Sequence, residues 1–181
     1  MAAPLKRILD YDDYAAIPPD GKRYELIEGD VHVASAPSPR HQWASRKLER
    51  QLEDYFEGRG IGRVFNAPID VILTRNDVVQ PDLVLVTDPT QISSRGIEGA
   101  PELLVEVLSS FTETYDRNTK ARRYAALGIR HLWFVDTSDR RIEAYRLEGS
   151  MWSPVLEGER DDTLTHPDWP GLTIRLSEIW L

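Results

Sequence analysis

Apolar and polar positions alternate along the chain in short segments that predict strands, and helical spacing appears in two places. After a short helical arm within the first 20 residues, RYELIEGDVHVA predicts a β-hairpin that turns at Glu28-Gly29-Asp30. The prolines of APSPRH predict a loop. Apolar residues spaced three and four apart then predict a helix over 41–57, which Gly58 to Gly62 end.

The second half of the chain predicts strands and one further helix, over 113–127, that Gly128 closes. Because this helix leaves room for a crossover, the two strands that flank it can pair in parallel. The order predicts an α/β fold, a single domain over 1–181 in which helices flank a mixed β-sheet and the N-terminal β-hairpin is added to it. Strands are predicted over 63–73, 79–86, 102–108, HLWFVD and RIEAYRL, a polar loop over 87–100, and an irregular tail over 150–181 with a short strand or turn near LTIRL.

Composition narrows the chemistry that the chain can perform. There is no cysteine, so disulfides and thiolate metal sites are excluded. Any metal would be held by oxygen ligands or by the four histidines, which favours Mg²⁺ or Mn²⁺. No apolar run approaches membrane-spanning length, and MAAPLKRILDYDDY lacks the apolar core of a signal peptide. We therefore expect a cytoplasmic protein without a membrane partner.

The formal net charge of −8 argues against a general polyanion binder, but the charges are unevenly distributed. Residues 37–50 hold four basic side chains against one acid, and residues 115–146 hold eight against four. Residues 147–181 reverse the balance, with seven acids and two bases. The two basic stretches can form a local nucleic-acid surface, or they can be solvated helix faces, which is the commoner meaning of a charge cluster.

Two carboxylates lie inside strands that otherwise look buried. Asp82 is in VVQPDLVLV, and Glu106 is in PELLVEVLSS, on the strand face of Leu104 and Leu108. Pro81 cannot donate a ladder hydrogen bond, which indicates an edge or bulge that would direct Asp82 towards a cleft. Burying an unpaired charge costs several kcal/mol, so such carboxylates are usually neutralised, paired or bound to a cation. The alternative is that each caps a loop or pairs with an arginine.

The helix after Glu106 adds a cation to this pair. Asp116, Lys120 and Tyr124 recur at a spacing of four and share one helix face, so the lysine can reach back over the site. A cation there can orient water and stabilise charge on phosphoryl oxygens, which is the chemistry of a metal-dependent phosphodiesterase. The alternative for Asp116 and Lys120 is a surface ion pair. Tyr115 and Tyr124 are predicted to be packing residues.

Five segments read in order resemble a known family: RYELIEGDVHV, SPRHQ, VVQPDLVLV, GAPELLVEVLSSFTETYDRNTKARRY and LGIRHLWFVD. The chain is similar to the bacterial Uma-type restriction-endonuclease family of the PD-(D/E)XK nuclease superfamily, from about residue 11 to LTIRLSEIW. The resemblance implies a restriction-endonuclease-like core. It also implies that Asp82, Glu106 and the backbone carbonyl of Val107 are metal ligands for Mg²⁺ or Mn²⁺.

The chain departs from the superfamily pattern at one position. The resemblance places a lysine two residues after Glu106, where this chain has Leu108, and it implies that Lys120 is the substitute. Glu25, in YELIEG, matches a further acid of the family and would complete the metal shell or accept a proton. His41, in SPRHQ, matches a histidine that would face the site; its alternative is a helix-start residue that bonds the backbone. Asp116 is an accessory candidate.

These features predict a metal-dependent endonuclease that acts on DNA and forms a homodimer, because two compact sites could then cut both strands. One alternative is a catalytically weak nucleic-acid-binding or regulatory protein that keeps the fold. A further possibility is a self-associating protein whose strand edges or tryptophans meet at an interface. Those tryptophans are Trp133, Trp152, Trp169 and Trp180.

Overall fold

The computed structural model describes residues 7–34 and 36–181, and every element below lies within these ranges. The first six residues of the predicted N-terminal arm lie outside them. The helices are α1 (Tyr11–Ala15), α2 (Pro39–Phe56), α3 (Glu113–Tyr115) and α4 (Ala121–Ala126), with a π-helical segment Asp116–Lys120 between α3 and α4 and 3-10 turns at Pro89–Gln91 and Leu176–Glu178. The strands are β1 (Arg23–Ile27), β2 (Asp30–Ala34), β3 (Arg63–Asn66), β4 (Val71–Thr74), β5 (Asp77–Val79), β6 (Leu83–Val86), β7 (Ile97–Glu98), β8 (Leu103–Leu108), β9 (His131–Asp136), β10 (Arg141–Glu148), β11 (Met151–Glu159), β12 (Thr163–Thr165) and β13 (Thr173–Arg175).

The strands form two large sheets and one ribbon. The first sheet has six strands in the order β11-β10-β9-β8-β6-β3, and the second has five in the order β2-β1-β5-β4-β7. Strands β12 and β13 pair as the ribbon. In the six-stranded sheet β8 and β9 are parallel, as the connecting helix predicts, and the other neighbours are antiparallel. The mixed sheet flanked by helices that the sequence predicts is therefore confirmed.

The six-stranded sheet is the middle layer of the molecule. One face packs on α2 and the β12–β13 ribbon, and it presents Leu103, Val105 and Val107 of strand β8 to that core. The opposite face presents Leu104 and Leu108 to a second core, which contains α4 and side chains of the five-stranded sheet. Each face buries apolar side chains at period two along the strand, which is the alternation read from the sequence.

Two predicted strands are each divided between the sheets. The predicted strand over 63–73 is β3 in the six-stranded sheet followed by β4 in the five-stranded sheet. The first residue of the predicted strand over 79–86 is the last residue of β5, in the five-stranded sheet. The last four residues of that predicted strand form β6, in the six-stranded sheet. Pro81-Asp82 is the point where the chain passes between the sheets, consistent with a proline that cannot donate a ladder bond. The N-terminal hairpin is likewise part of the five-stranded sheet rather than a separate addition.

The prediction of an irregular tail is wrong, because the chain continues as strands beyond residue 150, but the short strand predicted near LTIRL is confirmed as β13. Strand β11 pairs with β10 along its length, with a bulge that accommodates Pro154 opposite Tyr145. As the outermost strand it exposes one face to solvent, so its apolar alternation is weak. The tryptophans proposed for an interface pack inward: Trp133 is buried, and Trp152, Trp169 and Trp180 pack against the cores.

The helix boundaries follow local chemistry. Ser38 Oγ accepts a hydrogen bond from the backbone N–H of His41, and Pro39 occupies the first turn, so α2 begins two residues before its predicted start. The helix predicted over 113–127 is interrupted by the π-helical segment.

None of the helices in the described ranges is long and apolar enough to cross a membrane.

Candidate active site

A cleft of about 490 Å³ opens where Pro81-Asp82 passes between the two sheets. The five-stranded sheet contributes Glu25, and the six-stranded sheet contributes Glu106 and Val107 at the carboxyl end of β8. The π-helical segment contributes Asp116 and Lys120. The cleft therefore collects the predicted catalytic residues from four separate stretches of the chain.

Asp82 and Glu106 are neighbours across the β6–β8 pair. Leu83 is paired with Val105 in an antiparallel register, and continuing that register by one residue brings Asp82 opposite Glu106. Directly opposed residues of antiparallel strands have Cα atoms about 4.5–5.5 Å apart and share a sheet face. The backbone N–H of Val107 donates a 2.8 Å hydrogen bond to Asp82 Oδ2, which ties the two carboxylate-bearing segments together.

Lys120 is at the centre of a buried cluster of carboxylates. Its Nζ lies 2.9 Å from Glu106 Oε1, 3.0 Å from Glu25 Oε1 and 3.4 Å from Asp116 Oδ1. All four side chains are buried, so Asp116 and Lys120 do not form the surface ion pair that was the alternative. Lys120 thus reaches the Glu106 carboxylate from the π-helical segment.

The cluster has more buried carboxyl groups than buried cations, and this shifts the pKa values of its members. Burial raises the pKa of Glu106 to about 8, although the Lys120 ammonium opposes this and the neighbouring carboxylates add to it. Burial also raises the pKa of Asp116, again against the effect of Lys120. For Lys120, burial alone would lower the pKa, but Glu106, Glu25 and Asp116 outweigh it and hold the pKa well above its ordinary value.

Glu25 connects the five-stranded sheet to this cluster. Its Oε1 accepts a 2.9 Å hydrogen bond from the backbone N–H of Gln80 as well as the contact with Lys120. Gln80 immediately precedes Pro81-Asp82, so the carboxylate of Glu25 fixes the passage between the sheets. The role of Gln80 cannot be predicted from the sequence, because the group that Glu25 binds is a backbone N–H, which every residue except proline has.

His41 faces the site, as the resemblance implies. Its Nε2 lies 3.2 Å from Asp82 Oδ2, while its backbone N–H is bonded to Ser38 at the start of α2. The helix-start alternative therefore describes its backbone, and the side chain is directed to the carboxylate. The position follows from the N-cap at Ser38, which begins α2 beside the passage between the sheets.

Tyr124 is a site residue that the sequence analysis treated as packing. Its hydroxyl donates a 2.7 Å hydrogen bond to Glu106 Oε1 from a fully buried position in α4. The signal was its spacing of four from Lys120, which places both side chains on the helix face that meets Glu106. Tyr115, by contrast, lines the cleft and packs on His32, with ring centroids 4.6 Å apart.

Leu108 stands two residues after Glu106, where the resemblance would place a lysine. Its side chain is buried in the apolar cluster on the α4 side of the sheet, although its edge reaches the cleft. The buried ammonium of this cleft belongs to Lys120 instead.

The donor set fits a hard divalent cation. Among the described residues, the hydrogen bonds and ion pairs of Asp82 engage Oδ2 and those of Glu106 engage Oε1. Asp82 Oδ1 and Glu106 Oε2 are therefore the oxygens that can face a cation, and Val107 lines the same cleft. Oxygen donors of this kind are those that Mg²⁺ and Mn²⁺ prefer.

Comparison with known proteins supports the resemblance seen in the sequence. A solved structure described as "a putative nuclease belonging to DUF820", from Anabaena variabilis, has the same fold with a TM-score of 0.75. It is 16% identical, and the match covers 94% of this chain and 97% of that one. The "Uncharacterized protein slr1290" of Synechocystis sp. is 30% identical over 105 residues, which are 58% of this chain and 55% of that protein. The chain thus spans about half the length of that relative.

A family model described as "Putative restriction endonuclease" matches residues 11–177. The matched segment begins at α1 and ends within the final 3-10 turn, so it includes both large sheets and every residue of the cleft. The chain belongs to this family, Uma2.

Proposed function

We propose that the protein is a divalent-metal-dependent endonuclease that hydrolyses phosphodiester bonds in DNA. The observation that carries this proposal is the charge of the buried cleft. Four buried carboxylates line it, Glu25, Asp82, Glu106 and Asp116, against one buried ammonium, that of Lys120. Carboxylates crowded in this way repel one another, and a divalent cation relieves the repulsion.

In this proposal Asp82, Glu106 and the backbone carbonyl of Val107 hold Mg²⁺ or Mn²⁺. The bound ion would polarise a phosphoryl oxygen and lower the pKa of a coordinated water. His41 and the Val107 N–H hold Asp82 Oδ2, and Tyr124 holds Glu106 Oε1, so both carboxylates are fixed in orientation before substrate arrives. Membership of a family described as restriction endonucleases supports the same chemistry.

Lys120 and Glu25 would act beside the ion. The Lys120 ammonium stays charged because three carboxylates surround it, so it can neutralise the charge that develops on the phosphoryl oxygens or orient the attacking water. Glu25 shares that ammonium and lies on the opposite sheet, where it can complete the metal shell or accept a proton from water. Asp116 holds the lysine in place.

The surface around the cleft supports a nucleic-acid substrate. A second groove of about 510 Å³ borders the first, and both are lined by Arg23, His41 and Asp82. Trp43 and Arg46 of α2 also line this second groove, and the Arg46 guanidinium lies 4.9 Å from the Trp43 ring centroid. A groove with basic and aromatic side chains next to the carboxylates suits a phosphate backbone that extends beyond the scissile bond.

Incubation of the purified protein with supercoiled plasmid in Mg²⁺, Mn²⁺ or EDTA tests this proposal. We expect nicking with either metal and none in EDTA. Asp82→Ala and Lys120→Ala should each reduce the rate by about 10²- to 10³-fold, because each removes a charge that acts on the transition state. Glu157→Gln is the matched control, since Glu157 pairs with Arg141 on the outer strand and does not line the cleft.

Cleavage that persists in EDTA, or that Asp82→Ala leaves unchanged, would contradict the metal mechanism. Activity that is retained by Lys120→Ala but lost in Asp82→Ala would remove the role proposed for the lysine and keep the metal site. If no form cuts, and the wild type and Asp82→Ala bind labelled DNA equally well, the protein is a nucleic-acid-binding or regulatory member of the fold. Circular dichroism of each variant verifies that it is folded.

A homodimer is a separate proposal, which rests on the need to cut two strands with one compact site per subunit. Sedimentation equilibrium tests it directly, and a mass of one chain at micromolar concentration would contradict it.

A further inference from the structure

A second group of side chains of metal-ligating type, His131, His166 and Asp168, lies far from the cleft. His131 begins strand β9, where it is paired with Leu103 at the start of β8. The cleft is at the other end of these parallel strands, around Leu108 and Thr137. Strands rise about 3.3 Å per residue, so the two ends are roughly 17 Å apart. His166 and Asp168 lie in the turn between β12 and β13, which packs over this end of the sheet.

The three side chains converge on a small buried space. One ring nitrogen of each histidine and one carboxylate oxygen of Asp168 lie within 4.8 Å of one another. His131 and His166 are each 1% exposed. Among the described residues, His131 Nδ1, His166 Nε2 and Asp168 Oδ2 are buried atoms without a hydrogen-bond partner. Buried polar atoms are rarely left in this state, and each costs about 1–3 kcal/mol when it is.

Neighbouring charged side chains leave one atom of His131 and one of Asp168 facing each other, as the ligands of a metal site do. The carboxylate of Glu102 lies 3.5 Å from His131 Nε2, which favours the tautomer with the proton there and leaves the Nδ1 lone pair free. That Nδ1 lies 3.9 Å from Asp168 Oδ2. Arg146 donates a 2.6 Å hydrogen bond to Asp168 Oδ1, so the second oxygen is the one directed to the histidines.

We propose that His131, His166 and Asp168 bind a transition-metal ion of the Zn²⁺ class. Two imidazole nitrogens and one carboxylate are a common zinc donor set, and they leave a fourth position open to water. Mg²⁺ is disfavoured because it prefers oxygen ligands. The ion would join strand β9 to the turn between β12 and β13.

Binding requires two adjustments. Ligand bonds of about 2.0–2.1 Å place donor atoms roughly 3.3–3.6 Å apart, so the three groups must close by about 1 Å. His166 Nδ1 also accepts a 3.2 Å hydrogen bond from the backbone N–H of Asp168. That bond is given up whichever nitrogen becomes the ligand, because Nδ1 would either donate its lone pair to the metal or carry the ring proton. His166 and Asp168, which would have to approach His131, both lie in the short turn 166–172.

Titration of EDTA-treated, dialysed full-length protein with ZnCl₂ against a chromophoric chelator tests the proposal. We expect one zinc per chain at this site and a rise in Tm of about 5–10 °C at a hundredfold excess over Kd. His131→Asn and His166→Asn should each abolish this binding. The double variant Asp82→Ala/Glu106→Gln should retain it, which separates this site from the cleft and from the outcome of the nuclease assay.

Co²⁺ absorption spectra give a second readout, which reports on the coordination of the metal itself. Intense visible bands from the wild type that are absent from His166→Asn would support a site with histidine ligands. Zinc binding that is unchanged in both histidine variants, or a Kd weaker than about 1 mM for the wild type, would overturn the proposal. Binding lost in the Asp82→Ala/Glu106→Gln variant would also overturn it, because the zinc would then belong to the cleft.

Discussion

A single tyrosine hydroxyl orients the acidic residue at the centre of the cleft. Tyr124 donates to Glu106 Oε1, the oxygen that Lys120 also contacts, and thereby leaves Oε2 directed towards the proposed ion. Tyr124→Phe should reduce nicking by about 10- to 100-fold, the usual effect of removing a group that orients a metal ligand. The Mg²⁺ concentration for half-maximal activity should rise as well, which a purely structural role would not produce.

Tyr145→Phe is the control for this prediction. The Tyr145 hydroxyl also bonds a glutamate, Glu143, but neither residue lines the cleft. A Tyr124→Phe enzyme with wild-type activity and an unchanged Mg²⁺ requirement would show that Lys120 alone orients Glu106.

An exposed aromatic side chain stands at the edge of the cleft. Phe111 is 88% exposed and lines the cleft beside Ser110 and Thr112. Stacking of a nucleobase on such a ring contributes about 1–3 kcal/mol, so Phe111→Ala should weaken DNA binding by roughly 5- to 100-fold. Fluorescence anisotropy with labelled oligonucleotides in Ca²⁺ would measure this, and Phe111→Trp should restore affinity.

Met151 provides the matched control, because it is 73% exposed on the outer strand β11 and does not line the cleft. Equal affinities of the wild type, Met151→Ala and Phe111→Ala would exclude a contact between Phe111 and the substrate.

Among the site residues, those with an unusual chemical type for their position could be predicted from the sequence. Asp82 and Glu106 are carboxylates within apolar strands, and Lys120 shares a helix face with Asp116. Residues whose type is ordinary for a core could not be recognised in this way. Tyr124 is an aromatic residue on a buried helix face, and His166 is 35 positions from His131, a distance over which local periodicity relates no residues.

At the scale of elements, the π-helical segment determines which side chains reach the cleft. It inserts one residue into the turn between α3 and α4, and Asp116 and Lys120 at its two ends are both buried towards Glu106. Deleting Asn118, which is exposed in this segment, shortens the spacing of Asp116 and Lys120 from four residues to three and replaces the wide π turn by an α turn, so both side chains should shift relative to Glu106. We expect nicking to fall at least tenfold while Tm changes by only a few degrees.

Asn118→Ala keeps the length of the segment and is the control for the deletion. It removes only the hydrogen bond from Asn118 Nδ2 to the Thr114 carbonyl. If the deletion retains full activity, the π-helical insertion has no part in placing Asp116.

The strands show where local pattern is sufficient and where it fails. Strand β8 was predicted within one residue because both of its faces are apolar and turns bound it. The segments 63–73 and 79–86 were predicted as single strands because alternation continues through them, although their halves pair with different sheets. Partner choice is a tertiary property, since Asn66 pairs with Leu83 while Val71 pairs with Val79. The outer strand β11 was missed because it has one solvated face.

For the whole molecule, one buried ion pair joins the helix that carries Lys120 to the five-stranded sheet. Arg123 makes two 2.7 Å hydrogen bonds to Asp77, which is fully buried in β5. Burial would raise the pKa of Asp77, but Arg123, Thr74 and the Glu28 N–H outweigh it and lower the pKa below 3.8. Arg123→Ala should reduce the free energy of unfolding by roughly 2–3 kcal/mol at pH 7, because it leaves a buried carboxylate without its cation.

The effect should depend on pH with a definite sign. A carboxylate whose pKa is lowered by folding stabilises the protein above its ordinary pKa, and the contribution disappears as pH falls through the native value. The difference in the free energy of unfolding between the wild type and Arg123→Ala should therefore be fully present at pH 7 and should decrease below about pH 4. Urea unfolding at several pH values measures it.

Arg122→Ala is the control, since Arg122 is the neighbouring arginine and its partner Glu28 is exposed, so its loss should cost less than about 1 kcal/mol. Equal destabilisation by the two substitutions would show that the Asp77 pair has no special role in docking α4.

The position of Lys120 between the two sheets has a consequence for how activity arises during folding. Its partners Glu25 and Glu106 are on different sheets, and Glu25 and Lys120 are 95 positions apart in the chain. Contacts so distant in sequence form late, because a long loop must close before they are made. A nascent or partly unfolded chain would thus have its carboxylates but no assembled centre. Hydrolysis would begin only after the sheets have docked, and a cell that makes this protein would be exposed to its activity only in the completed form.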